Sequence, residues 1–136
     1  MLDLGLTEAL TWLAEDFTQR YGVPVQQQLD HAGDLDDRTA IQIFRIAQEA
    51  FTNIARHAQA KSVRFSLTCS PGLIALDIAD DGIGFTPQAQ SNAAALGLRG
   101  MRERAHLLGG TLDCLSAPNQ GTALRLRAPC NDTLSA

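Results

Sequence analysis

The sequence is poor in several features that would each have pointed to a function. It contains three cysteines, Cys69, Cys114 and Cys130, odd in number, far apart and without a Cys-x-x-Cys pair. Zinc ribbons, dithiol redox centres and disulfide frameworks are excluded on that count, and a reducing, cytoplasmic setting fits the thiols best. Eleven lysines and arginines stand against fifteen aspartates and glutamates, a net charge of −4. Without a basic surplus there is no broad electrostatic footprint for nucleic acid or for an anionic membrane surface, so neither is expected as a partner. No apolar run approaches the ~18 residues of a membrane span, and the start, Met1-Leu2-Asp3-Leu4, lacks a cationic leader. There is no internal repeat. Charged residues make up only 19% against 45% hydrophobic, which excludes a disordered polyelectrolyte, and 136 residues are enough for one core but not for two.

What is present is well patterned. Leu6, Leu10, Leu13 and Phe17 recur at helical spacing, predicting a first helix over about 7–20 that Thr7 can cap and Gly22-Val23-Pro24 ends. Trp12 falls off that stripe; partly buried packing is its expected role and a docking surface the alternative. Val23, Val25 and Leu29 alternate with glutamines as a short strand. The segment from Arg38 to Ala58 predicts a long helix with Asp36 or Asp37 at its cap, burying Ile43, Ala47, Ala50, Phe51 and Ile54. At 3.6 residues per turn its other face carries Gln42, Arg45, Glu49, Asn53 and Arg56 within an arc of roughly 80°, with His57 at the border.

Two strands follow around Ser70-Pro71-Gly72, the second ending in Asp80-Asp81-Gly82-Ile83-Gly84. From Thr86 to Ala95 the composition is small and polar, as in a mobile loop, and a third helix is expected to start near Gly97 or Leu98 and to stop at Gly109-Gly110. A last hairpin turns through Ala117 to Gly121, and the tail past Pro129 frays. Cys69 and Cys114 fall on the apolar parity of their strands, where a thiol behaves as a small hydrophobe. Runs of strands joined by hairpins predict an α+β fold, a two-layer sandwich with a mixed, mostly antiparallel sheet covered by helices on one face.

Three constellations carry possible chemistry. Asp80-x-Gly82-x-Gly84 after a strand offers a carboxylate beside backbone that a ligand can approach, or it is an ordinary Asp-Gly turn. Gly97-Leu98-Arg99-Gly100 at a helix start presents unpaired N–H groups to an anion such as phosphate, or it is a hinge. Glu49, Asn53, Arg56 and His57 form a polar ridge able to meet a metal and phosphate, or a solvated helix face. There is no Gly-x-x-x-x-Gly-Lys-Ser/Thr loop and no third glycine of a dinucleotide fingerprint.

Taken in order, these elements resemble the GHKL ATP-binding fold shared by histidine kinases, type II topoisomerases, heat-shock chaperones of the ninety-kilodalton class and mismatch-repair ATPases. Gln48 to Ala58 resembles its N box, Asp80 to Gly84 its G1 box, Gly97 to Arg104 its G2 box, and Gly121-Thr122 its final glycine-threonine element. The likeness is strongest to bacterial sensor histidine kinases of the nitrate/nitrite-sensor-like class, through Gly100-Met101-Arg102-Glu103-Arg104, the short segment from Phe85 to Leu96, and Leu4-Gly5-Leu6, which is similar to the junction after their dimerisation helices.

The resemblance implies ATP and Mg²⁺ as cofactors. Asp80 would bind the adenine amino group in a pocket shaped by Gly82 and Gly84, with Thr122 on the adenine side. Asn53 would hold Mg²⁺, with Glu49 placing metal or water. Arg56 would reach the phosphates, His57 would lie beside the nucleotide, and the backbone of Gly97, Leu98 and Gly100 would close over the phosphate tail. Many relatives have Lys where Arg56 stands, and a guanidinium fork does not substitute freely for an ammonium.

The implied organisation is an ATP-binding catalytic domain over residues 1–129, with an ATP lid at 86–96 and a flexible tail at 130–136. The phosphoacceptor and dimerisation domain is expected to be absent, since none of His31, His57 and His106 sits in an acceptor's context. The partners implied are phosphoacceptor helices and a response regulator, with the isolated domain a monomer and the full-length protein a homodimer whose membrane anchoring is left open. The alternatives are a nucleotide-responsive binding module without catalysis and an anti-sigma-type serine kinase of the same fold.

Overall fold

The computed structural model describes residues 5–31, 35–83 and 93–130, with the backbone alone for residues 57, 58 and 93–96. The elements run α1 (Leu6–Tyr21), β1 (Val25–Leu29), α2 (Asp37–Asn53), a π-turn (Ile54–Ala58), β2 (Val63–Ser70), β3 (Leu73–Asp80), α3 (Ala93–Leu107), β4 (Thr111–Ser116) and β5 (Thr122–Pro129). The strands form one sheet in the order β1-β2-β3-β5-β4, with β1 parallel to β2 and every other pair antiparallel. This is the α+β sandwich that the alternation of strands and hairpins predicts.

Period-two burial fixes which face of the sheet the helices cover. Phe65 and Leu67, Ile74, Leu76 and Ile78, and Leu124, Leu126 and Ala128 all point inward and are buried. Against them lie Leu10, Leu13 and Phe17 of α1, Ile43, Ala47 and Phe51 of α2, and Met101 and Ala105 of α3. Phe17 of α1, Phe51 of α2 and Phe65 of β2 join both helices to the sheet, their ring centroids 5.0 Å apart in each step and the second pair edge to face. Among the described residues the opposite face carries no helix. Its centre is a polar row in which Asp77 meets Arg127 at 3.2 Å and Arg125 at 3.8 Å. No described helix is long and apolar enough to cross a membrane.

Helix ends follow their local chemistry, with three departures from the sequence expectations. Asp36 caps α2 by accepting the Thr39 N–H at 2.7 Å. Thr7, by contrast, does not cap α1; the cap is Gly5, and the Thr7 hydroxyl donates to the Asp30 carbonyl oxygen, joining α1 to the end of β1. The single long helix expected over 38–58 changes at Asn53 into a π-turn, which closes at Gln59 in the left-handed region (φ 50°). The third helix begins at Ala93, one turn before Gly97, because Ala93-Ala94-Ala95-Leu96 are strong helix formers and extend the helix backwards.

Candidate functional site

At one end of the helix-covered face the apolar rows give way to polar side chains. Val63, Asp80, Thr122 and Ser116 are successive partners across β2, β3, β5 and β4, so Asp80 and Thr122 occupy the row beyond Ile78 and Leu124. The half-buried Asp80 carboxylate accepts the Gly82 N–H at 2.8 Å. Burial pushes its pKa above the ordinary value of 3.8, the neighbouring Asp81 charge adds to this, and the N–H groups of Gly82 and Thr122 oppose it. The Thr122 hydroxyl lies 2.9 Å from the Ser116 hydroxyl. Such a carboxylate, recessed but solvated on one side, is an acceptor suited to a ligand amine or amide.

Close packing and hydrogen bonds hold this turn on both sides. Gly121 has φ +76°, and a Cβ there would lie 2.0 Å from the Asp80 carbonyl oxygen, so no other residue fits. The Asn119 N–H reaches the Ile83 carbonyl oxygen at 2.6 Å, bringing the β4–β5 turn against the same loop. Gly82 is buried within it. Gly84 lies outside the described residues.

The second part of the site lies where α2 meets α3. Gly97 is the point of contact: a Cβ there would stand 2.8 Å from Glu49 Oε2, 3.4 Å from Asn53 Oδ1 and 3.5 Å from Asn53 Nδ2. Glu49 and Asn53 therefore converge on one spot, as their i, i+4 spacing on the polar ridge requires. Further along the ridge, Gln42 accepts from Arg104 Nη1 at 2.9 Å and fastens α3 to α2. Leu98 turns into the core, and Gly100 faces open space on the helix.

The expectation that Gly97 to Gly100 form the exposed start of the helix is corrected. Since α3 starts at Ala93, the N–H groups that no carbonyl of the helix can meet belong to residues 93–96, and Gly97 serves close helix approach. The segment 86–92 of the expected lid lies outside the described residues, and 93–96 are helical.

Arg56 is exposed and lines a groove of about 360 Å³ between α1 and α2, together with Trp12, Phe17, Tyr21 and Thr52. Its departure from the line of Glu49 and Asn53 follows from the π-turn, which takes one more residue per turn and makes every later position lag around the axis. Trp12 is 57% exposed, which overturns its expected burial. His57 has its backbone in the π-turn, and its side chain lies outside the described residues.

Sequence reasoning named Gly121 only as a motif neighbour and gave no role to Asp81, Ser116 or Asn119. Gly121 carried a usable signal, a glycine closing a polar hairpin turn. Asp81 and Asn119 act through partners distant in sequence and left none, and Ser116 acts only across its own hairpin, on Gly121 and Thr122.

Comparison with known proteins bears on the family and the fold. Residues 38–132 match the family described as histidine kinase-, DNA gyrase B-, and HSP90-like ATPase. The oxygen sensor histidine kinase NreB of Staphylococcus carnosus is 33% identical over 131 residues, which cover 96% of this chain and 38% of NreB. The sensor histidine kinase LiaS of Bacillus subtilis is 34% identical over 131 residues, covering 92% of this chain and 34% of LiaS. Among solved structures, the histidine kinase domain of a blue-light activated histidine kinase from Erythrobacter litoralis EL346 shares the fold, with a TM-score of 0.81 at 24% identity over 96% of this chain and 64% of that one. The chain thus spans little more than a third of the length of these curated relatives. With the strands, the Asp80 turn and the α2–α3 contact in the order that the GHKL resemblance implies, the chain belongs to the histidine kinase-, DNA gyrase B-, and HSP90-like ATPase family.

Proposed function

We propose that this chain is the ATP-binding catalytic domain of a sensor histidine kinase, covering residues 1–129. It would transfer the γ-phosphoryl group of ATP to a histidine on a separate helical domain, from which an aspartate of a response regulator receives it. The observation that carries this reading is the convergence of Glu49 and Asn53 at Gly97, on the same helix-covered side of the sheet as the Asp80 carboxylate.

In this reading Asp80 accepts a hydrogen bond from the adenine amino group, its carboxylate held in place by the Gly82 N–H, and Thr122 borders the base. The chain's oxygens near Gly97 suit a hard cation: Asn53 Oδ1 supplies a neutral oxygen and Glu49 an anionic one. Among the described residues no group of three or more His, Cys, Asp or Glu is placed to hold a metal, so the rest of such a shell must come from phosphate and water. When bound there, Mg²⁺ would neutralise charge on the transferring group. Asn53 would hold it and Glu49 would orient a bound water; Arg56, turned towards the α1 groove, is not assigned to the phosphates. The N–H groups of residues 93–96 take over the phosphate contact first expected of Gly97, Leu98 and Gly100. Attack by the histidine nitrogen on the γ-phosphorus breaks the bond to the β–γ bridging oxygen, and ADP leaves. Catalysis of this kind rests on positioning and electrostatic stabilisation.

Calorimetry with ATP and Mg²⁺, followed by transfer from labelled ATP to helices bearing the acceptor histidine, tests the reading. Asp80→Asn is expected to weaken ATP binding by at least about tenfold, and Asn53→Ala to lose Mg²⁺-dependent transfer. Unchanged affinity in the first variant or retained transfer in the second rejects the corresponding role.

A further inference from the structure

Asp81 follows Asp80 directly and faces the other way. It is exposed, yet both carboxylate oxygens are engaged: Oδ1 accepts the N–H groups of Lys61 at 2.8 Å and Ser62 at 2.9 Å, and Oδ2 accepts the Ser62 hydroxyl at 3.0 Å. Three donors on one carboxylate form a charge-assisted cluster of the stronger kind. The N–H groups of Ser62 and Lys61 hold its pKa below the ordinary 3.8, in keeping with that geometry.

Lys61 and Ser62 lie in the short connection from the π-turn to β2, just after Gln59 turns the chain in the left-handed region. The paired register ends at Val63 and Asp80, and beyond it the backbone adds one long bond, from the Asp81 N–H to the Ser62 carbonyl oxygen at 3.4 Å. Asp81 thus extends the hold of β3 beyond the ladder, onto the loop that leaves the end of α2. The Asp80 turn has a separate fastening to β5 through Gly121, which packs on the backbone of Asp80 and Asp81, and to the β4–β5 turn through Asn119; the Asp81 carboxylate takes no part in it.

We propose that Asp81 is a positioning residue of the nucleotide site: it fixes the end of α2, with Asn53 and the π-turn, at a set distance from the base-binding turn. This rests on the nucleotide reading above. Losing the Asp81 carboxylate leaves the base end on its second fastening and loosens the connection behind the end that meets phosphate and metal, which keeps its core packing and the long Asp81 N–H bond. A ligand confined to the base end then loses little, whereas a ligand that spans both ends loses the benefit of their preset separation.

The experiment compares the affinities of the whole chain for ATP with Mg²⁺ and for adenosine, in wild type, Asp81→Ala and Ser62→Ala, with thermal unfolding alongside. Asp81→Ala should weaken ATP by about tenfold and adenosine by less than about twofold. Ser62→Ala, which removes one of the three bonds and spares the fold, should weaken ATP by about twofold to threefold with adenosine unchanged. Local damage to the turn would weaken both ligands alike. Variants that lower the two affinities in parallel, or leave both as in wild type, overturn the proposal while the nucleotide reading stands. A wild-type chain that binds neither ligand overturns the nucleotide reading and the role of Asp81 with it.

Discussion

At the end of β3, Asp80 is enclosed by backbone: its carboxylate holds the Gly82 N–H, its carbonyl oxygen is pressed by Gly121, and the loop beyond is caught by Asn119. At the end of α2, Glu49 and Asn53 meet α3 through side-chain atoms alone, across a gap kept open by the missing Cβ of Gly97. The difference lies in what can yield. A backbone carbonyl inside a sheet ladder cannot move away from an added atom, whereas the tip of a glutamate can. The base end is therefore built for fixed geometry, and the metal end for adjustable side chains on rigid helices.

The hardest test of the fixed end is Gly121→Ala. The substitution places a Cβ 2.0 Å from the Asp80 carbonyl oxygen at a residue whose φ is +76°, so clash and backbone strain combine. A loss of about 2–4 kcal/mol in urea denaturation is expected, with ATP binding lost through displacement of Asp80. A loss below about 1 kcal/mol would show that the β4–β5 turn yields, and would put the two ends on the same footing.

Gly97→Ala probes the adjustable end and should separate stability from function. The new Cβ approaches Glu49 Oε2 at 2.8 Å, a contact the side chain relieves by rotating, while replacing a helical glycine by alanine contributes about 1 kcal/mol of helix stability. The variant is expected to be as stable as wild type or more so, and to bind ATP with Mg²⁺ about tenfold more weakly because Glu49 and Asn53 are displaced. A destabilised variant with intact binding would reverse the assignment of the two ends.

The sequence made the fold readable because period-two and period-3.6 patterns record burial, and nearly all burial here is against one face of one sheet. Asp80, Asn53 and Glu49 stand out in the sequence only as members of an ordered series: each short pattern alone also fits an ordinary turn or a solvated helix face, and the resemblance rests on their order. Arg56 shows where such reading stops. Its place on the polar ridge assumes a uniform α-helix, and the π-turn that moves it to the α1 groove depends on how the helix end docks, which no local pattern encodes. The early start of α3 had a signal in Ala93-Ala94-Ala95-Leu96, outweighed by the small and polar residues around it. Asp81 was invisible because its donors, Lys61 and Ser62, come 20 and 19 positions earlier and contribute backbone N–H groups that every residue type shares.

The smallest expected effects concern the two adjacent carboxylates, whose environments push their pKa values apart. Asp80 is raised above 3.8, chiefly by burial, so ionising it costs the folded state. Its contribution to stability is fullest below the unfolded value and declines as pH rises through the folded one. Asp81 is lowered by the Ser62 and Lys61 N–H groups, so its stabilisation is present above 3.8 and disappears as pH falls through its folded value. Asp80→Asn should then be more stable than wild type at neutral pH, and Asp81→Asn less stable. Both differences should shrink as pH falls, that of Asp80 first because its folded value lies above 3.8 and that of Asp81 only below 3.8, as each wild-type carboxyl becomes neutral. Urea denaturation of the two variants between about pH 3 and pH 7 reads this directly. Curves of the same sign at neutral pH would mean that neighbouring carboxylates at the end of β3 share one environment. Opposite signs would mean that the chain accepts an unfavourable ionised Asp80 at the ligand-facing position and offsets it with the anchored charge of Asp81.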